Sequence, residues 1–117
     1  MSNPISWLIE VEILPGKLDD FRTLVRELVA RAEKESGTID YEWHLSPDGK
    51  TCHIFERYAD SAALVKHGEG FGQVAARFFA SCKPVRLSVY GEASAEAKAA
   101  IADLHPVYYS TIGGFSR

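Results

Sequence analysis

Two residues near the middle of the chain, Glu56 and His67, have side chains that can take up a proton from a substrate. Glu56 belongs to an alternating segment, residues 51–58, and falls on its apolar face, where lost hydration raises the pKa of a carboxyl group. A carboxylate of this kind can accept a phenolic proton. A neutral imidazole is a natural general base near physiological pH. We therefore take both residues as candidate catalytic groups.

Each of these two residues also has a structural interpretation. Glu56 would then be a buried carboxylate that is hydrogen-bonded to Tyr41 or to a helix. His67 precedes Gly68, and it would then interact with the carbonyl groups at the end of a helix. The sequence leaves both interpretations open.

Four aromatic residues are candidates for binding a flat, aromatic substrate beside these groups. Aromatic side chains stack on such rings, and apolar walls with few polar groups are typical of small-molecule pockets. Taken one at a time, each is more typical of a hydrophobic core, whereas as a cluster near Glu56 and His67 they suggest a binding site. The candidates are Tyr58, Tyr41, Trp43 and Phe71.

A second group of polar residues has the composition of a metal site. His44 and His53 face each other across a predicted hairpin, and Glu42 can supply a third ligand. The spacing matches no recognised zinc motif, so we predict no resident metal. The alternatives are a pH-sensitive contact within a dimer or two solvated side chains.

The remaining reactive residues indicate no further chemistry. Cys52 and Cys82 are expected to be reduced thiols in a cytoplasmic protein. Cys52 and His53 do not form a nucleophile pair, because adjacent residues of a strand point to opposite faces. The chain has no phosphate-binding loop, dinucleotide fingerprint or Gly-x-Ser-x-Gly motif.

The hydrophobic pattern predicts the elements that must position these residues. Strands are predicted where apolar residues alternate, and helices where they recur at helical spacing. Gly37 is expected to stop the first helix, Asp60 to cap the second, and Gly68 and Gly70 to interrupt it. The strands are predicted at residues 5–14, 38–46, 51–58, 85–89 and 107–112, and the helices at 21–32, 61–67, 71–83 and 95–104.

The turn Pro47-Asp48-Gly49-Lys50 fixes the register of the predicted hairpin. A four-residue loop places Ser46 opposite Thr51. This first pair determines all the pairs that follow along the two strands. The predicted pairs are Trp43 with Ile54, Tyr41 with Glu56, Ile39 with Tyr58, His44 with His53 and Asp40 with Arg57.

The predicted order is β-α-β-β-α-β, which is the ferredoxin-like unit of an α+β protein, followed by a helix and a strand. We expect a single domain over residues 1–117, with a core of about 5–91 and an extension over 92–117. Helices cover one face of the sheet. The other face carries Leu8, His44, Phe55 and Tyr90, and we expect a homodimer to cover it.

Composition excludes several functional classes. The chain has 117 residues, which suits one domain, and 46% hydrophobic and 25% charged residues, as in an ordinary globular protein. The net charge is −3 without a basic stripe, so no nucleic-acid partner is expected. No apolar run approaches the roughly 18 residues of a membrane span, and the start lacks the features of a signal peptide. We therefore expect a cytoplasmic protein that does not contact membranes.

Two segments resemble the antibiotic biosynthesis monooxygenase (ABM) family. Residues 36–43, Ser-Gly-Thr-Ile-Asp-Tyr-Glu-Trp, resemble the start of that family's second strand. Residues 55–67 resemble its aromatic-Glu-x-aromatic-x-Asp-x-x-Ala-x-x-x-His motif, with Tyr58 where the family often has Trp. The resemblance covers about residues 5–91.

The resemblance implies a dimeric α/β barrel with a pocket between each sheet and its own helices. It also implies a quinol monooxygenase-like enzyme without cofactor, which oxidises a quinol or similar electron-rich aromatic compound with O2, and it places a histidine at position 67. Haem is not expected, because the first strand has Glu10 and Glu12 where the haem-degrading branch has Asn. The alternatives are a non-catalytic dimeric module that binds a small molecule, and an isomerase or lyase that uses the same pocket without O2.

Overall fold

The computed structural model describes residues 3–117. Over these residues the chain forms five strands and four α-helices. The strands are β1 (Ile5–Ile13), β2 (Thr38–Leu45), β3 (Thr51–Tyr58), β4 (Cys82–Tyr90) and β5 (Val107–Tyr109). The helices are α1 (Leu18–Ala32), α2 (Ser61–Phe71), α3 (Ala75–Ser81) and α4 (Ala95–Ile101), and a 3-10 turn follows α4 at Ala102–Leu104.

The strands form one sheet in the order β2-β3-β1-β4-β5. β1 pairs antiparallel with β3 and β4, β2 pairs antiparallel with β3, and β5 adds a short parallel edge to β4. This order, with α1 and the α2–α3 pair as the two crossovers, is the ferredoxin-like arrangement. The predicted α+β ferredoxin-like fold is confirmed, including the helix and strand after the four-stranded core.

The hairpin register agrees with the prediction except at one end. The confirmed pairs are Tyr41 with Glu56, Trp43 with Ile54, His44 with His53 and Asp40 with Arg57. The predicted pairing of Ile39 with Tyr58 is wrong, because the register shifts between Thr38 and Asp40 and Thr38 lies opposite Tyr58. The shift leaves the Ile39 side chain 55% exposed.

Helix α2 is longer than predicted. Asp60 caps it as expected, since its carboxylate accepts the backbone N–H of Ala63 at 2.9 Å. The predicted interruption at Gly68 and Gly70 is wrong: the helix continues through both to its end at Phe71. Each glycine costs about 1 kcal/mol relative to alanine, a preference that tertiary packing can outweigh. His67 therefore lies inside the helix, so the interpretation as a residue at its C-terminal end is also wrong.

The core lies between the sheet and the helices. Alternate residues of β1 point into it, and Ile5, Trp7, Ile9 and Val11 are all buried as the alternation predicts. Leu24 and Leu28 cover them from α1. Ala97 and Ile101 of α4 belong to the same buried cluster, so the segment after β4 packs on the core as well.

β4 contains Pro84, a residue that sheets tolerate only where the backbone N–H needs no partner. β5 pairs only with the far end of β4, from Ser88 onward, so β4 is an edge strand at Pro84. β5 spans three residues and is shorter than predicted. Within residues 3–117, no helix is long and apolar enough to cross a membrane.

Candidate active site

A cavity of about 490 Å³ lies between the helix-facing side of the sheet and the helices. Strands β1 to β4 form its floor, α2 and α3 form one wall, and the segment that follows β4 forms another. Most of the lining is apolar, as is usual for a small-molecule site. The polar side chains of the lining include Tyr41, Glu56, His67 and His105.

Glu56 lies in the floor of this cavity and its residue is only 3% exposed. Three adjacent strands place it between Trp7 on β1 and Tyr41 on β2. Burial raises the pKa of the Glu56 carboxyl group, and the nearby His67 and the hydroxyl of Tyr58 partly oppose this effect. The carboxyl group therefore holds a proton more tightly than an exposed glutamate does.

Tyr58 supports Glu56 from the same strand. Residues two apart on a strand share a face, and the Tyr58 hydroxyl donates a hydrogen bond to Oε1 of Glu56. Tyr58 is fully buried, and burial with the adjacent carboxylate raises its pKa well above the ordinary value. Its hydroxyl therefore stays protonated near neutral pH and remains a hydrogen-bond donor.

His67 connects two carboxyl groups. Its Nε2 atom lies 3.3 Å from Oε1 of Glu56, and its Nδ1 atom lies 2.7 Å from Oε1 of Glu35. The imidazole also contacts the rings of Tyr41 and Tyr58, with centroids 5.4 and 5.5 Å away. Both nitrogens thus have a carboxylate partner and two tyrosine rings pack beside the imidazole, which still lines the cavity.

Glu35 is a site residue that sequence reasoning missed. It lies in the short connection between α1 and β2, outside any periodic pattern. The hydroxyl of Thr38 donates to the same carboxylate oxygen at 2.7 Å, so the carboxylate has a fixed orientation. The sequence offers only a weak signal, namely a charged residue directly before Ser36 and Gly37, which precede β2.

The aromatic candidates separate into two groups. Tyr41, Trp43 and Phe71 line the cavity, where they can contact a ligand. Burial, together with Glu56 and Glu35, raises the pKa of Tyr41, so its hydroxyl stays protonated. Tyr58 does not line the cavity. It lies behind Glu56, so its contact is with the carboxylate rather than with a bound ring.

Two indole N–H groups at the cavity have no hydrogen-bond partner among the described residues. They belong to Trp7 and Trp43, both of which line the cavity. Trp7 is near enough to Glu56 to favour its charged form, but the contact does not reach hydrogen-bond geometry. Unpaired buried donors cost free energy, so an acceptor atom of a ligand or a water molecule would be favoured beside them.

The other sequence candidates lie outside this cavity. His44 contacts Glu42 at 3.1 Å, and His53 contacts Glu10 at 3.4 Å. In the part of the chain that the structure describes, no group of three His, Cys, Asp or Glu side chains has the geometry of a metal site. The two histidines face each other as predicted, but each has its own carboxylate partner.

Both cysteines are buried and unpaired with each other. Burial raises the pKa of Cys52 to about 11 and that of Cys82 to about 12, so both thiols are unreactive near neutral pH. His53, next to Cys52, is exposed on the opposite face of the strand.

Residues 4–72 match the model of the family described as "Antibiotic biosynthesis monooxygenase". The match therefore includes β1 to α2, and with them Glu35, Glu56 and His67. No curated protein sequence matches the chain significantly.

Solved structures share the fold at low sequence identity. MupZ from Pseudomonas fluorescens has a TM-score of 0.85 at 22% identity, over 97% of this chain and 94% of its own. SnoaB from Streptomyces nogalater, described as a cofactor-independent oxygenase, has a TM-score of 0.67 at 11% identity, over 80% and 96%. Rv0793 from Mycobacterium tuberculosis has a TM-score of 0.66 at 24% identity, over 74% and 91%. The MupZ match extends over almost the whole chain, whereas the other two leave about a fifth or more of it unmatched.

Proposed function

The chain belongs to the antibiotic biosynthesis monooxygenase family, and we propose that it is a cofactor-independent monooxygenase that oxidises a quinol or a similar electron-rich aromatic compound with O2. One observation carries the proposal: a buried acid–base pair, Glu56 and His67, in the wall of a cavity that is otherwise mainly aromatic and aliphatic. SnoaB, which is described as a cofactor-independent oxygenase, has the same fold.

The chemistry starts with proton removal from a substrate hydroxyl group. A phenolate is far more electron-rich than a phenol and gives electrons to O2 more readily. For a quinol the reaction balances as quinol plus O2 giving a hydroxylated quinone plus water. The substrate supplies all four electrons that reduce O2, one oxygen atom enters the ring and the other leaves as water.

The side chains at the cavity have different roles in this reaction. Glu56 and His67 take the proton, and a side chain held in position for proton transfer lowers the barrier of that step. Tyr41, Trp43 and Phe71 hold the aromatic ring. Tyr58 acts on Glu56 rather than on the substrate, since its hydroxyl is already engaged by that carboxylate.

We also propose that the protein is a cytoplasmic homodimer whose subunits meet through the face of the sheet opposite the helices. That face carries the half-buried side chains of Leu8 and Phe55, with Tyr90 at 36% exposure beside them. Two unpaired cysteines agree with a reducing compartment. Sedimentation of wild type and of Phe55→Lys tests the dimer: the variant should sediment as a monomer, and an unchanged mass would contradict this interface.

Oxygen uptake by the purified, metal-free protein tests the activity. Naphthoquinols, benzoquinols and anthrones are offered in turn, with His67→Ala as the test variant. Lys34→Ala is the control, because Lys34 is exposed, precedes β2 and does not line the cavity. We expect uptake above autoxidation, reduced by about 100-fold or more in His67→Ala and unchanged in Lys34→Ala.

Three results would contradict the proposal in different ways. Equal uptake by His67→Ala and wild type would remove the histidine from the mechanism. Conversion of a substrate at the same rate without O2 would indicate an isomerase or lyase. Stoichiometric binding of a compound that is never converted would indicate a binding module.

A further inference from the structure

We propose that Glu35 positions His67 and carries its protons to solvent, so that Glu56, His67 and Glu35 form one proton relay. The inference rests on the proposed function, because it concerns the fate of the proton that the substrate loses. Glu35 lies outside the cavity and is a positioning and relay residue rather than a group that touches the substrate.

The contacts of Glu35 fix the protonation of His67. The Oε1 atom of Glu35 is 2.7 Å from Nδ1 of His67, and it also accepts the hydroxyl of Thr38 at 2.7 Å. Because this oxygen is already an acceptor toward Thr38, the Nδ1 atom is the donor in its contact with Glu35 and carries a proton. Nε2 is then the nitrogen that faces Glu56 and exchanges protons with it.

Exposure increases along the three side chains. The side chain of Glu56 is 4% exposed, that of His67 is 10% exposed, and that of Glu35 is 24% exposed. Glu56 meets the cavity but not the solvent outside the protein, whereas Glu35 meets solvent but not the cavity. Among the described residues, His67 is the side chain that forms an ion-pair contact with both carboxylates.

Among the described side chains that contact His67, only Glu35 offers its proton a path to solvent. Strand β3 presents Glu56 and Tyr58 to it, β2 presents Tyr41, and the connection before β2 presents Glu35. Both tyrosines have raised pKa values and stay protonated. Over residues 3–117, Glu35 forms no ion pair with lysine or arginine, and its partly exposed side chain is in reach of solvent.

The protons balance along this path. Glu56 accepts one proton from the substrate and passes one to Nε2, while Nδ1 passes one to Glu35, which exchanges it with water. When the oxygen atom that leaves as water takes up one proton from Glu56, the same path runs in reverse, and Nδ1 regains its proton from Glu35. Each group returns to its starting state, and no further reactant is needed.

Two variants separate positioning from proton transfer. In Glu35→Gln the amide oxygen still accepts the Nδ1 proton but cannot carry it onward, so we expect kcat to fall about 100-fold with KM unchanged. In Glu35→Ala kcat also falls, and formate or acetate restores it because the vacated position reaches solvent. Glu33→Gln, an exposed neighbour with the same change in charge, should behave as wild type. Unchanged kcat in Glu35→Gln would overturn the relay.

A measurement without substrate keeps this test independent of the proposed activity. NMR of nitrogen-labelled histidine should show the proton of His67 on Nδ1 in wild type and a shift toward the other tautomer in Glu35→Ala, reversed by formate. An identical tautomer in Glu35→Ala and wild type would overturn the positioning role. If no substrate is turned over, the activity proposal fails, while the tautomer still decides whether Glu35 controls His67.

Discussion

Atom Nε2 of His67 lies 3.3 Å from Oε1 of Glu56, although one residue belongs to a helix and the other to the strand before it. Such a contact between two buried groups requires a proton between them, on the imidazole or on the carboxyl group. Burial raises the pKa of Glu56 and favours keeping that proton. The site is therefore arranged to hold and exchange a proton between two buried side chains.

Replacing Glu56 by Gln should reduce turnover and increase stability at neutral pH. The pKa of an unfolded glutamate is about 4.3, and that of Glu56 in the folded protein is higher. The folded state then binds the proton more tightly. The free energy of unfolding therefore falls as pH rises from the unfolded pKa through the folded one. A glutamine does not ionise, so the variant lacks this decline.

Urea unfolding at about pH 5 and about pH 8 checks this prediction. The loss of stability between these pH values should be smaller in Glu56→Gln than in wild type, and turnover should fall about 100-fold. Glu27→Gln is the control, since Glu27 is a partly exposed residue that pairs with Arg77. Parallel pH dependences in wild type and Glu56→Gln would show that the carboxyl group does not titrate in this range.

Replacing Tyr58 by Phe should move the acidic limb of the pH–activity profile to higher pH. The hydroxyl of Tyr58 donates to Glu56 and thereby lowers the pKa of that carboxyl group. Without this hydroxyl, the carboxyl group of Glu56 keeps its proton to a higher pH. The carboxylate that acts as the base therefore forms only at that higher pH. Stability should fall by about 1 kcal/mol for the lost hydrogen bond. The profile of kcat against pH, compared with that of Tyr109→Phe at an exposed position, measures the shift.

The register of the β2–β3 hairpin, and the side of the sheet on which each of its side chains lies, could be predicted. Both follow from the alternation of apolar residues and from the length of the four-residue turn. That register places Tyr41 beside Glu56, and it follows from local sequence alone. The shift that exposes Ile39 could not be predicted, because a bulge depends on how β2 leaves the connection after α1.

Glu35 and the length of α2 needed the three-dimensional structure. Glu35 lies in a connection, and only the packing of α2 beside it brings Nδ1 of His67 within 2.7 Å. Gly68 and Gly70 suggest a break, but local propensity is weak compared with the burial of Leu64 and His67 on the same helix. The catalytic candidates could thus be named from sequence, whereas their connection to solvent could not.

Two glycine substitutions should change stability in opposite directions. A Cβ atom at Gly68 meets nothing within 4 Å, so Gly68→Ala should stabilise helix α2 by about 0.5–1 kcal/mol. A Cβ atom at Gly37 would lie 2.5 Å from Cβ of Ala63, so Gly37→Ala should destabilise the protein by about 1–3 kcal/mol. Thermal unfolding of both variants measures the difference. A stabilising Gly37→Ala would contradict the close packing of α2 against the start of β2.

Replacing Ile101 by Ala should destabilise the entire protein if residues 92–117 fold as one domain with the rest. Ile101 is 5% exposed, lines the cavity and belongs to the main buried cluster. Loss of its side chain should cost about 2–5 kcal/mol. Ile112→Ala is the matched control, because Ile112 is fully exposed and should change stability by less than about 0.5 kcal/mol.

Unfolding followed by two probes decides whether the extension is a separate unit. Tryptophan fluorescence reports on Trp7 and Trp43 in the sheet, whereas far-UV circular dichroism also includes α4. Coincident transitions, shifted equally by Ile101→Ala, indicate a single cooperative domain. A circular dichroism change that precedes the fluorescence change would mean that α4 detaches first. The cavity would then lose one wall while the pair of Glu56 and His67 stays intact, because neither residue contacts the extension through a hydrogen bond or an ion pair.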